Sequence, residues 1–200
     1  MTLHELAARL TVRLCVAGNF QADKKRENRI TFALEGVLST GYSFLVILLV
    51  SLLLGTVKET IAVVLFAGSV RVFAGGVHAA TPTRCALFGG IIGGLLGLGA
   101  KYLPRPTGYF APIIIFLFLA AVILVFAPRE TANKKIPPEQ KRVLKMRTAL
   151  VLLVFFFVLL YFVNNPFLTK ALLLGMGWQA LTVSPVLKEK GINQNEGRDK

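Results

Sequence analysis

The sequence predicts an all-α polytopic membrane protein, with about six transmembrane helices behind an N-terminal amphipathic surface helix. Two observations carry this. Hydrophobic residues make up 54% of the 200 residues and charged residues only 16%, with a mean hydropathy of +0.65, whereas soluble domains carry about a quarter charged residues. The charges also fall in clusters between apolar runs, and several of those runs approach the roughly 20 residues that cross a bilayer. Clustering of this kind accounts for the net charge of +13 through topology, so no nucleic-acid partner is expected. No cleavable signal peptide is expected either, because Arg9 and Arg13 break the first apolar run and no small-residue cleavage site follows it.

The whole chain, residues 1–200, reads as one integral membrane domain. Residues 1–36 form a cytoplasmic arm. Within it Leu3, Leu6, Ala7, Leu10, Leu14 and Ala17 recur at helical spacing with Arg9 and Arg13 opposite, as in a helix lying on a lipid surface. Lys24, Lys25, Arg26 and Arg29 follow, and residues 37–187 form the six-span bundle. The first span runs from about Val37 to Val57, with Lys58-Glu59 as a short turn. A second, from Thr60 to about Phe73, is short, and the bilayer crossing of this span is the weakest of the six. The third runs from Pro82 to about Leu98. Gly89, Gly93 and Gly97 repeat there every four residues, as do Gly90 and Gly94; such a stripe admits a closely packed helix. An intramolecular contact is the expectation and a homodimer seam the alternative. The fourth span covers Tyr109 to Ala127, the basic loop residues 128–147, the fifth span Thr148 to Val163, and the sixth Phe167 to Leu187. Residues 188–200 are a polar tail.

All but four of the 23 lysines and arginines (Lys58, Lys101, Arg105 and Lys170) fall in the arm, the segment between spans two and three, the basic loop or the tail. The positive-inside rule makes those segments, and both termini, cytoplasmic. Cys15 and Cys85 then face a reducing compartment and are expected as thiols.

The chemistry sits in the polar interruption Arg71 to Cys85. His78 and Cys85 are the only imidazole and thiol close in sequence. On an unbroken helix seven residues would separate them by about 10 Å along the axis, too far for proton transfer. A break is expected instead, because Gly75-Gly76 loosens the backbone and Pro82 disfavours helix at Thr81. With Thr81 as N-cap and Pro82 first in a new helix, Cys85 lies at the edge of its first turn. The helix end and Arg84 would favour a thiolate there, and His78 could fold back as its base. Arg71 would be costly in lipid and should face an interface or a polar cavity. The spacing equally allows Cys85 as a small buried hydrophobe and His78 as a loop residue at headgroup level. A metalloprotease is not expected, as no His-Glu-x-x-His run exists and His4 is remote in sequence; no cofactor is expected. A small transporter or channel with a broken-helix site is the alternative class.

Arg71-x4-Gly76-x-His78-x6-Cys85, the glycine-rich span after it, Ala127-Pro128-x5-Lys134-Lys135-x-Pro137, and the late run Gln179-Ala180-Leu181-Thr182 before Pro185 together resemble the AgrB family (accessory gene regulator protein B) over nearly the whole chain. The resemblance implies a membrane cysteine endopeptidase that processes the precursor of a cyclic quorum-sensing peptide. Cys85 then matches the nucleophile and His78 the base. Arg71 and Gly76 match motif positions, and Lys134-Lys135 match the basic pair of the cytoplasmic loop. The implied partner is a short precursor peptide, with an amphipathic N-terminal part and an acidic C-terminal tail, met at a membrane-lipid surface. Neither Asp nor Glu lies in the segment 71–85, so the residue that orients His78 is left open among Thr81, Asn133 and a backbone carbonyl.

Overall fold

The computed structural model describes residues 3–18, 23–77, 82–104, 106–130 and 136–186, and among these the chain forms seven α-helices and no strand. They are α1 (Leu3–Ala17), α2 (Lys24–Leu53), α3 (Val57–Ala74), α4 (Pro82–Tyr102), α5 (Phe110–Phe126), α6 (Pro138–Phe162) and α7 (Pro166–Val183). The protein is an all-α polytopic membrane protein. By length and apolarity α2, the Arg84–Tyr102 part of α4, and α6 are sufficient to cross a bilayer, and α5 is a shorter apolar helix.

Two helices occupy the centre. α3 packs against α2, α4, α6 and α7, and α7 packs against α3, α4, α5 and α6. Ten of the 18 residues of α7 are buried, whereas α2 buries only Ser51 of its 30. The main core lies among α3, α5, α6 and α7, built on Val70, Phe116, Ile123, Leu159, Leu172 and Met176, with Phe66 of α3 meeting Phe155 of α6 edge to face at 5.1 Å. The outer helices turn large apolar side chains outward, for example Leu45 (64% exposed) on α2 and Phe118 (67%) on α5. Outward-facing apolar surface of this kind suits a lipid solvent.

The glycine stripe of α4 is an intramolecular contact. A Cβ on Gly90 would lie 2.8 Å from Val46 Cγ1, and one on Gly94 2.8 Å from Val50 Cγ1 and Leu54 Cδ1, all on α2 or at its end. Gly97 is closed by Thr60 and Thr56, so α3 takes the other side. Gly175 of α7 comes equally close to α3, where its Cβ would meet the Val63 carbonyl at 2.7 Å.

Three helix starts differ from the sequence expectation for a common reason: a charge ends a membrane span but does not end a helix. α2 starts at Lys24, inside the basic run, and α6 starts at Pro138, taking in half of the basic loop. The α2–α3 turn is at Leu54–Gly55, where Gly55 adopts φ +62°; Lys58 and Glu59 are already in the first turn of α3. α7 ends at Val183 rather than near Leu187. Its start is fixed by Asn165, whose side chain accepts from the Phe167 and Leu168 amides at 3.1 and 3.2 Å, with Pro166 at the first position. Among the described side chains of α1 the buried ones are Ala7 and Thr11, packed on the N-terminal half of α2, where Thr31 Oγ1 donates to Thr11 Oγ1 at 3.0 Å. Leu14 and Ala17, expected on the same stripe, are exposed.

Candidate active site

The site is built where α3 ends and α4 begins. α3 runs through Gly68 and stops at Gly75-Gly76, where both glycines take positive φ (+72° and +155°), a region that favours a residue without Cβ. The Gly75 amide donates to Arg71 O at 2.9 Å, closing the helix. The next residues run along the end of α7. Gln179 Nε2 donates to Gly75 O at 2.7 Å, and the Val77 amide donates to Thr182 O at 3.2 Å. Gly76 lies flat on this surface, so that a Cβ would sit 3.2 Å from Thr182 Oγ1 and 3.5 Å from an Arg71 guanidinium nitrogen.

Arg71, in the last turn of α3, reaches forward and donates to Val77 O at 2.6 Å. Its half-buried guanidinium is within electrostatic reach of Cys85. Cys85 is half-buried in the first turn of α4, between exposed Arg84 and fully buried Ala86. The start of α4 at Pro82 agrees with the expected break in the helix.

A third segment closes the other side of the turn. The Arg129 amide donates to Ala74 O at 2.9 Å, and its guanidinium donates to Thr182 O at 3.0 Å and to Ser184 O. A Cβ on Gly75 would stand 3.1 Å from Arg129 O. Beyond it, Glu130 pairs with Lys141 at 2.9 Å and accepts from the Ile136 amide at 3.1 Å, fixing the start of α6.

Of the residues singled out from the sequence, Arg71, Gly75, Gly76 and Cys85 therefore come together, with Arg84 next to Cys85 on the exposed side. His78, Thr81, Asn133, Lys134 and Lys135 lie outside the described residues. Cys15 is on α1, which packs on α2. No three metal-ligating side chains gather among the described residues. Sequence reasoning had no structural role for Gln179, Thr182 or Arg129. A glutamine in an apolar run was the available signal, since an uncharged amide in such a helix needs partners, and Gln179 is fully buried with both ends of its amide engaged.

The family model for Accessory gene regulator B (AgrB) matches residues 8–183. The chain belongs to the AgrB family. Among its AgrB relatives, a putative AgrB-like protein of Clostridium perfringens (strain SM101 / Type A) is 26% identical over 184 residues, covering 84% of this chain and 86% of the relative. Accessory gene regulator protein B of Staphylococcus lugdunensis is 26% identical over 162 residues, covering 81% and 84%. Protein FsrB of Enterococcus faecalis (strain ATCC 47077 / OG1RF) is 29% identical over 151 residues, covering 74% of this chain and 60% of its own. No solved structure matches the chain. The AgrB match ends at Val183, where α7 also ends, and so takes in Arg71, Cys85, Arg129, Gln179 and Thr182.

Proposed function

We propose that this protein is a membrane cysteine endopeptidase for quorum sensing, cleaving the C-terminal tail from a short autoinducer precursor peptide and promoting closure of the remainder into a thiolactone or lactone. The observation that carries the reading is the placement of Cys85: a half-buried thiol in the first turn of α4, in electrostatic reach of the Arg71 guanidinium that is held on Val77 O. A helix N-terminus and a fixed cation both favour a sulfur anion, the nucleophilic form.

In the proposed reaction Cys85 Sγ attacks the carbonyl carbon of the scissile bond. The C–N bond breaks, the leaving amine takes a proton from His78, and an acyl-enzyme thioester remains. A thiol or hydroxyl within the bound peptide gives its proton to the now neutral His78 and attacks that thioester. The ring closes and Cys85 leaves as thiolate. Thioester exchange with a held thiol costs little free energy when water is kept away, which a membrane-embedded site favours. Lys134 and Lys135 would attract the acidic tail of the precursor. Six spans with both termini cytoplasmic, at the cell membrane, complete the reading and place the site on the side where the precursor is made.

Mass spectrometry of membranes co-expressing the protein with a candidate precursor tests it. Released tail and a peptide-sized adduct are expected in the parent and neither in Cys85→Ser. Cleavage that persists in a folded Cys85→Ser protein would sink the mechanism. Cys15→Ser should leave turnover unchanged.

A further inference from the structure

The hydrogen bonds at the end of α7 carry a role that the reaction scheme does not use. Gln179 is fully buried and spans two structural units. Its Nε2 donates to the Gly75 carbonyl at 2.7 Å, and its Oε1 lies 3.3 Å from the Thr182 hydroxyl. One turn on, Thr182 O takes the Val77 amide. The segment Gly75–Val77 is thus pinned to α7 at both ends, and the Val77 carbonyl so placed is the acceptor that holds the Arg71 guanidinium. Two glycines at positive φ have little stiffness of their own, so the position of that carbonyl depends on the contacts from outside the turn.

We propose that Gln179 is a positioning residue: by holding the Gly75 carbonyl it fixes the turn whose Val77 carbonyl docks Arg71, the cation on the α3 side of the turn that leads to Cys85. The proposal deepens the reading of Cys85 as the reacting group and rests on it. Without the Gln179 bond the Gly75 carbonyl keeps no partner from α7, the turn moves, and the guanidinium loses its fixed place near the sulfur. Removal of the link should therefore act on Cys85 reactivity in excess of its effect on folding. The titratable and charged groups on the elements around this end include Arg71 on α3, Arg84 on α4, Glu35 and Tyr42 on α2, Arg129 and Glu130 between α5 and α6, Glu139, Lys141, Arg142, Lys145 and Arg147 at the start of α6, and His78, which follows Val77 in sequence. Lys170 is the one charged residue of α7 and stands at its far end, so replacing Gln179 by a neutral residue changes no charge near Cys85.

The test uses the full chain with Cys15→Ser, in lipid nanodiscs, so that Cys85 is the remaining thiol. Its rate of alkylation by iodoacetamide is followed by mass from acidic to alkaline pH, with thermal unfolding measured alongside. Gln179→Met keeps the length of the side chain and removes its donor. Its half-maximal rate should move to higher pH, with a severalfold slower reaction at neutral pH, as expected when a favourable opposite charge is loosened. Leu172→Ala, in the core face of the same helix, should lower the thermal midpoint and leave the pH profile where it was. A folded Gln179→Met protein with the parent profile overturns the proposal, as does an equal shift in Leu172→Ala. Should Gln179→Met fail to fold, Gln179→Asn, one methylene short of Gly75 O, decides in its place: a shifted profile supports the role and a parent profile ends it. Alkylation needs no peptide. A shifted profile in a protein whose parent cleaves no precursor would leave the positioning role standing and remove the peptidase reading, and cleavage by the parent with an unshifted Gln179→Met profile would do the reverse.

Discussion

The two ends of the bundle solve the same problem with different cations. At one end lysines cover helix-end and turn carbonyls: Lys101 Nζ donates to Gly55 O at 2.9 Å, and Lys170 Nζ to Leu103 O at 3.0 Å and Lys101 O at 3.3 Å. At the other end arginines do it: Arg71 on Val77 O, and Arg129 on Thr182 O and Ser184 O. The lysine bonds are exposed, and an ammonium on a flexible stem can be exchanged for water there with little loss. The arginine bonds are partly buried, and a planar guanidinium fixes direction as well as distance. A thiol is present only at the arginine end. The comparison teaches that capping carbonyls is ordinary structural work, and that the choice of cation, its burial and its neighbour convert it into a candidate site.

The largest expected effect follows from exchanging the two cations' roles. Arg71→Met should slow Cys85 alkylation at neutral pH by on the order of tenfold to a hundredfold, since loss of an adjacent opposite charge disfavours the thiolate. Precursor cleavage should fall at least as far. Arg71→Lys should recover little of it, because an ammonium cannot reproduce the fork that reaches Val77 O. Lys101→Met, at the other end, should leave the alkylation rate within about twofold, as an exposed cap is worth little. Equal effects of the Arg71 and Lys101 replacements would erase the distinction.

Next in size come the glycines, which separate packing from site geometry. An alanine at Gly97 would be driven onto the Thr60 hydroxyl, with Thr60 Cα 3.2 Å away, and should destabilise by about 1–3 kcal/mol through overpacking. A denaturation series in detergent reads this directly, and Thr60→Ala should relieve part of it. Gly76→Ala combines φ +155° with a Cβ 3.2 Å from Thr182 Oγ1, a strain of about 1–3 kcal/mol, but this one falls on the turn that holds Arg71. Its alkylation rate should therefore drop, while that of Gly97→Ala should be close to the parent in the folded protein. Lys170→Met is expected to be milder than either, with a loss of about 1 kcal/mol or less in thermal stability and an unchanged alkylation profile.

The fold was legible in the sequence where one-dimensional pattern determines it. Apolar runs located α3, α4, α5 and α7 to within a few residues, and Pro82 located the start of α4. The starts of α2 and α6 were not legible, because hydropathy measures where an apolar run ends and says nothing of where backbone hydrogen bonding ends; α2 and α6 begin at Lys24 and Pro138, well before their apolar runs. At the site, Arg71, Gly75, Gly76 and Cys85 were readable because they sit within one polar interruption. Gln179, Thr182 and Arg129 were not, since their partners across the site lie 53 to 105 residues away in sequence and no local spacing encodes a contact of that range. A buried glutamine in α7 signalled that some partner must exist, and only the three-dimensional packing identifies it as Gly75.

The smallest effect sharpens the account of the α4 stripe. Gly89 shares the four-residue spacing of Gly93 and Gly97, yet a Cβ there would meet nothing within 4 Å, whereas Gly93 would touch Val64, Thr60 and Ile47 at 3.4–3.8 Å. In a single copy of the chain, Gly89→Ala removes backbone freedom from the unfolded state and introduces no clash, so it should stabilise by about 0.5–1 kcal/mol. A second copy packed on α4 at this point would reverse the sign, because an added methyl would hold the two helices apart. Unfolding of Gly89→Ala in detergent at two protein concentrations separates the cases. A gain independent of concentration assigns the stripe to contacts within one chain, with Gly89 its unused first step. A loss relative to the parent that is largest at high concentration and fades on dilution would make Gly89 part of a seam between copies, and the homodimer would then have its contact point.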